Sequence, residues 1–190
     1  MIHPFFVSTG IVALAEMGDK TQLLALLLTT QLRKPIPIVL GILVATLVNH
    51  AFAGAIGSWV AALLSPVILR WVLGLSFLAM AAWILIPDKL DDDKPAGSQL
   101  GVFAATVVAF FLAEMGDKTQ VATVALAAQY QSLFWVVAGT TVGMMLANVP
   151  VVLFGEWLIH RIPVRKIHIT CAIIFAVMGL LILLGVGSMV

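Results

Sequence analysis

The seven residues Glu16-Met17-Gly18-Asp19-Lys20-Thr21-Gln22 recur letter for letter as Glu114-Met115-Gly116-Asp117-Lys118-Thr119-Gln120, an offset of 98 positions (114 − 16 = 98). Without a gap, that offset also pairs Gln31 with Gln129, Gly41 with Gly139, Gly57 with Gly155, Trp59 with Trp157 and Phe77 with Phe175. The chain is therefore a duplication, and whatever one half folds into, the other half must fold into as well. The setting of the two motifs narrows the choice. Each lies inside a long apolar stretch of a chain that is 62% hydrophobic and only 10% charged, with a mean hydropathy of +1.15. Soluble domains run about 45–50% apolar and about 25% charged. With so little charge the chain cannot clothe itself in a polar surface, so lipid is its expected solvent. A net charge of +1 argues against a nucleic-acid partner.

About 20 residues of helix cross the roughly 30 Å of hydrocarbon in a bilayer. Six stretches are long enough: Pro4–Gln31, Ile36–Leu64, Val67–Ile86, Gln99–Gln129, Leu133–Ile159 and Ile167–Met189. The expected fold is an all-α membrane protein of six transmembrane helices. Residues 1–87 form the first three-helix repeat, 88–98 a cytoplasmic linker and 99–190 the second repeat. Lys and Arg in short connections set orientation. The first, third and fifth breaks hold Arg33, Lys34, Lys89, Lys94, Arg161, Arg165 and Lys166, whereas the second and fourth hold at most Arg70. Seven against one places the odd breaks in the cytoplasm and both termini outside it. Trp59, Trp71, Trp83, Trp135 and Trp157 fall near span ends, as an interfacial aromatic belt requires. The opening MIHPFFVSTGIVALA has no basic leader and belongs to the repeat, so it is read as mature protein in an inner membrane. The lone Cys171 excludes a disulfide framework or thiolate site and reads as a small buried hydrophobe.

Three spans per repeat is an odd number, so the second repeat must enter the membrane from the opposite side. Inverted repeats recur in secondary transporters, with the substrate site near the midplane where the repeats meet. Both motifs are expected at that depth, where each ionisable group costs roughly 2.5–3.5 kcal/mol to insert. Placing Glu16, Asp19, Lys20, Glu114, Asp117 and Lys118 there is tolerable only around a shared polar cavity. On one helix, Glu16 and Asp19 would share a face at i and i+3, and Lys20 would reach back to Glu16. The intervening glycine permits close helix approach or a local break.

Four carboxylates and two ammonium groups leave −2, the charge one divalent cation neutralises. The donors are all oxygen: Glu16, Asp19, Glu114, Asp117, the hydroxyls of Thr21 and Thr119, and the amides of Gln22 and Gln120. Oxygen ligands suit Mg²⁺, Ca²⁺ and Mn²⁺ rather than copper or zinc. Met17 and Met115 serve as packing, with a thioether preference for Mn²⁺ as the sharper reading. Lys20 and Lys118 would tune the site by holding empty carboxylates. His50, Asn49 and Asn148 at the middle of spans two and five would tune it as well, His50 by carrying a proton or bonding between helices, Asn49 and Asn148 as added ligands or as partners of their neighbours. Thr46 joins them as a ligand or a neighbour's partner. Gly139 and Gly143, echoed by Gly41 and Ala45, form small-residue packing faces.

The doubled Glu-x-Gly-Asp-Lys-Thr motif in a chain of this size resembles the GDT-type family of cation/proton exchangers, the lysine-exporter superfamily's branch that includes bacterial manganese exporters and Golgi manganese/calcium transporters. The likeness covers nearly the whole chain, and the short Asp88–Ser98 linker matches bacterial members. It implies that Glu16, Asp19, Glu114 and Asp117 are the cation ligands, that protons are the counter-ion, and that no enzyme activity or cofactor is involved. The expected function is export of Mn²⁺ in exchange for protons, by rocking of one repeat against the other. Ca²⁺/H⁺ exchange is the nearest alternative. An intramembrane aspartyl protease built on Asp19 and Asp117 leaves the glutamates and lysines without a role, and a cationic amino-acid exporter lacks an obvious roomy pocket. A homodimer is compatible with this reading. Asp91-Asp92-Asp93 reads as a solvated linker, Glu156 as an interfacial charge, and His160, Arg161, Arg165, Lys166 and His168 as a basic rim against anionic lipid.

Overall fold

A computed structural model describes residues 2–86, 101–155 and 163–185. The linker with its acidic run, Glu156, Trp157, His160 and Arg161 lie outside the described residues. Within them the chain is helical throughout: α1 (His3–Glu16), α2 (Lys20–Leu32), α3 (Pro35–Leu63), α4 (Pro66–Trp83), α5 (Val102–Glu114), α6 (Lys118–Tyr130), α7 (Leu133–Phe154) and α8 (Val164–Leu183). Proline opens α1, α3 and α4, where its missing N–H costs nothing and its fixed φ suits the first turn. Arg33 and Gln131, again 98 apart, close α2 and α6 in the left-handed region at φ 52° and 47°. Their N–H groups bond the carbonyls of Thr29 and Ala127, which satisfies acceptors that a helix end would leave orphaned.

α3, α4, α7 and α8 are long and apolar enough to cross a membrane. The four remaining helices have 13 or 14 residues each, about 20 Å of length, and none reaches across alone. The expectation of one continuous helix over Pro4–Gln31 and another over Gln99–Gln129 is therefore corrected. Both stretches break inside the motif, for a local reason. Gly18 and Gly116 take φ +83° and +76°, a left-handed backbone that glycine adopts without steric cost. Asp19 and Asp117 follow in extended conformation, with ψ of 169° and 166°. With Met17 and Met115 also extended, three successive non-helical residues end one ladder of hydrogen bonds and start another.

The halves pack by exchanging equivalent contacts. A Cβ on Gly41 of α3 would lie 2.7 Å from Thr106 of α5, with the Phe103 carbonyl at 3.0 Å. A Cβ on Gly139 of α7 would lie 2.4 Å from the Phe5 carbonyl and 3.0 Å from Ser8 of α1. Phe103, Thr106 and Gly139 are the 98-offset partners of Phe5, Ser8 and Gly41, so the two crossings are one interface used twice. Gly143 continues the second crossing onto Thr9, Val12 and Ala13, which makes the small-residue faces read from sequence true packing faces. α4 and α8 form an antiparallel pair, with Gly74 against Gly179 and Leu183 and Phe77 against Phe175 at 6.0 Å between ring centroids. Phe77 and Phe175 are themselves repeat partners.

One departure from this reciprocity matters for the site. The α4–α8 pair lies against α1 and α6, in a core joining Ile11 and Ala15 to Leu73, Phe77, Leu126, Cys171 and Phe175. The equivalent surface on α2 and α5 has no comparable contact with the pair among the described residues.

Candidate cation site

Breaking the helix turns each motif inside out. The C-terminal end of α1 delivers Glu16 and the N-terminal end of α2 delivers Asp19, Lys20 and Thr21; α5 and α6 do the same with Glu114, Asp117, Lys118 and Thr119. The N-termini of α2 and α6 carry partial positive charge and favour carboxylates there. The freed carbonyls at the ends of α1 and α5 supply negative potential for a cation. Gln22 and Gln120, in the first turn after each break, brace the loops. Gln22 Oε1 accepts from the Gly18 N–H at 2.8 Å, and Gln120 Oε1 accepts from the Gly116 N–H at 2.7 Å. Their amide nitrogens reach the facing helices, Gln22 to the Ala147 carbonyl at 2.8 Å and Gln120 to Asn49 Oδ1 at 2.6 Å. Ala147 and Asn49 are again repeat partners. Both amide oxygens expected as ligands accept a loop N–H with one of their two lone pairs.

Three of the four motif acids converge. Glu16, Asp19 and Asp117 each offer a carboxylate oxygen within 4.8 Å of the other two, and all three are buried. Thr21 donates to Glu16 Oε2 at 2.6 Å, and Thr119, from the other half, donates to Glu16 Oε1. Lys20 pairs with Asp117 at 3.1 Å, not with Glu16 as an unbroken helix would have it. The break has swung Lys20 towards the opposite repeat. Lys118 is buried, and its Nζ donates to the Ile86 carbonyl at 3.0 Å. Glu114 stands apart from the cluster, fully buried, with both carboxylate oxygens lacking a hydrogen-bond partner among the described residues.

At about 5 Å and an effective dielectric near 20, each pair of ionised carboxylates repels by roughly 3 kcal/mol. Lys20 offsets part of that repulsion, and a divalent cation bound between the two halves would remove the rest. The three converging groups are all carboxylates. Around them, His50, Thr46, the Asn49 amide nitrogen and Asn148 Oδ1 are buried without hydrogen-bond partners among the described residues. Asn148 donates to the Met144 carbonyl at 3.1 Å. Met115 is 55% exposed, against half-buried Met17.

A residue assigned to the lipid-facing rim turns out to touch the site. His168, in the first turns of α8, donates from Nε2 to the Met17 carbonyl at 2.8 Å. Val164 of the same helix fills the space over Gly18, 2.3 Å from where a Cβ would sit. The signal for His168 was present in the repeat, which pairs it with Arg70, the one basic residue of the first half's third span.

A family profile described as "Divalent cation/proton antiporter GDT1" matches residues 4–92 and 102–189. A Vibrio cholerae protein described as "Putative manganese exporter" is 55% identical over 175 residues, covering 92% of this chain and 87% of that protein. A GDT1-like protein of Schizosaccharomyces pombe is 28% identical over 79 residues, 42% of this chain and 30% of that protein. No solved structure matches. These matches are to a family of membrane transporters and not of enzymes, and they fall on both halves of the duplication, around both broken helices. The chain belongs to the GDT1 family of divalent cation/proton antiporters.

Proposed function

We propose that this chain exports Mn²⁺ from the cytoplasm in exchange for protons, by alternating access around one site built from both motifs. The observation that carries this reading is the convergence of Glu16, Asp19 and Asp117 from two halves of the chain within 4.8 Å. Glu114 joins as the fourth acid, its acceptors without a partner among the described residues. Thr21 and Thr119 hold Glu16 in place, and Lys20 and Lys118 balance the acids between loads. Protons take the cation's place on the acids and return the carrier. Each broken pair, α1 with α2 and α5 with α6, counts as one crossing, which gives six spans in two inverted repeats. The reciprocal contacts of Gly41 and Gly139 support that arrangement. The excess of Lys and Arg in the odd breaks supports an inner-membrane orientation with both termini outside the cytoplasm.

The test is ion flux in proteoliposomes, with Mn²⁺ and Ca²⁺ offered separately and together, with and without a pH gradient. Mn²⁺ flux that follows the gradient and falls at least tenfold in both Glu16→Gln and Asp117→Asn is the expected result. Ca²⁺ outcompeting Mn²⁺ would make this a calcium/proton exchanger on the same site. Undiminished flux in the variants would reduce the acids to structural pairs and end the proposal.

A further inference from the structure

The two motifs have identical sequences but different surroundings, and every difference points the same way. Over motif one, Val164 packs on Gly18 and His168 bonds the Met17 carbonyl. Over motif two, a Cβ on Gly116 would meet nothing within 4 Å among the described residues, and Met115 and Gly116 are exposed. Thr21 and Thr119 both donate to Glu16, while its repeat partner Glu114 accepts from neither and lies buried without a hydrogen-bond partner among the described residues. α4 and α8 cover α1 and α6 and leave the equivalent face of α2 and α5 without comparable cover among the described residues.

A duplicated chain contains the recipe for the opposite arrangement, because each contact made by one half can be made by its partner 98 positions away. Transferring the contacts puts Pro66 over Gly116 and brings Arg70 to the Met115 carbonyl, and gives both threonines to Glu114. The chemistry permits the transfer. Arg70 is a donor, as His168 is, and a carbonyl at a broken helix end needs one. In the present state Arg70 is parked at the other end of the pair, its Nη1 3.4 Å from where a Cβ on Gly185 would sit, in the turn that follows α8. A cation there suits the negative end of a helix.

We propose that α4 and α8 move together as a bar that covers α1 and α6 in one state and α2 and α5 in the other, latched by His168 on Met17 and by Arg70 on Met115. This rests on the alternating-access reading above and names its moving part. In that orientation α1 and α6 flank the site on the side away from the cytoplasm, so the present state is sealed outward. His168 and Arg70 are positioning residues: neither touches the cation, and each sets how much of the time one side is shut.

The test uses Cys171→Ala chain in proteoliposomes, with the cysteine pair Met17→Cys/Val164→Cys or Met115→Cys/Pro66→Cys and a short bifunctional thiol cross-linker. Both latches stay intact in these pairs. The expected result is cross-linking of both pairs, with the ratio moved by Mn²⁺ or by a pH gradient. Adding His168→Ala should raise the Met115/Pro66 product relative to the Met17/Val164 product by about fivefold, the net worth of one hydrogen bond. Arg70→Ala should shift the ratio as far the other way, which a general loss of stability would not do. If Mn²⁺ flux persists but the Met115/Pro66 pair never links, or if the two alanine variants leave the ratio unchanged, the bar and its latches are wrong and the exporter stands. Failure of the Met17/Val164 pair to link would equally overturn the latch. If the parent chain carries neither Mn²⁺ nor Ca²⁺, the failure belongs to the transport reading instead.

Discussion

Gly18 and Gly116 hold the same place in their halves and nearly the same backbone angles, yet alanine should not cost the same at both. Each substitution forces an L-residue into the left-handed region, at about 1–2 kcal/mol. Only Gly18→Ala also drives a Cβ to 2.3 Å from Val164. Thermal unfolding in detergent should therefore show a larger drop for Gly18→Ala than for Gly116→Ala, and Val164→Ala should recover the difference but not the shared backbone cost. Equal drops would mean that α8 does not sit on the first loop. At this scale the acids were legible from sequence, because six ionisable groups in an apolar setting call for one polar cavity. Their partners were not. Helical spacing assigned Lys20 to Glu16, but the glycine breaks the helix between them, and Lys20 meets Asp117 from sequence position 117 instead. The glutamines read as ligands because an amide oxygen can bind a cation; their bond to the backbone N–H four residues back was not read.

At the scale of elements, small residues decide which helices can cross. Gly41 and Gly139 let α3 meet α5 and α7 meet α1 at distances no side chain would permit. Overpacking a tight contact typically costs 1–3 kcal/mol, so Gly41→Ala and Gly139→Ala should each destabilise the fold by about that much. Gly10 provides the control within α1: a Cβ there meets nothing within 4 Å among the described residues, and alanine in a helix interior gains about 0.8–1 kcal/mol over glycine. Gly10→Ala should raise the unfolding midpoint while the other two lower it. The apolar stretches and their order could be read from the chain, since length and hydropathy are local properties; Pro35 and Pro66, which open α3 and α4, read in sequence as parts of the breaks. The breaks at Gly18 and Gly116 were visible only as an option, because glycine permits a left-handed turn without demanding one. The lean of α4 and α8 towards α1 and α6 could not be read at all. The repeat makes the two halves equivalent in sequence, and in the proposed mechanism the choice of one side belongs to the conformational state.

For the whole molecule, the duplication has a consequence in charge. Glu16, Asp19, Glu114 and Asp117 carry −4 and Lys20 and Lys118 carry +2, and in the proposed mechanism one divalent cation makes the loaded site neutral. The same reasoning constrains the return journey. Net charge in a low-dielectric cavity is costly, so the returning carrier should be neutral too, with two protons in place of the cation. One Mn²⁺ out for two H⁺ in moves no net charge across the membrane. A membrane potential acts on a transported charge with about 2.3 kcal/mol per 100 mV, which would be a change of roughly fiftyfold in the driving ratio if a single charge moved uncompensated. Flux in proteoliposomes clamped at 0 and at −100 mV with potassium and its ionophore should therefore agree within experimental scatter, while a one-unit change in the pH gradient alters it severalfold. Each lysine changed to methionine tests the count from the other side. Lys20→Met would leave the cavity one charge more negative, so either a third proton accompanies each turnover or the loaded site keeps −1, and in both cases the flux acquires the voltage dependence that the parent lacks. A parent chain already sensitive to potential would mean that one of the six groups is not charged as counted, and the lysines would be the first to recount.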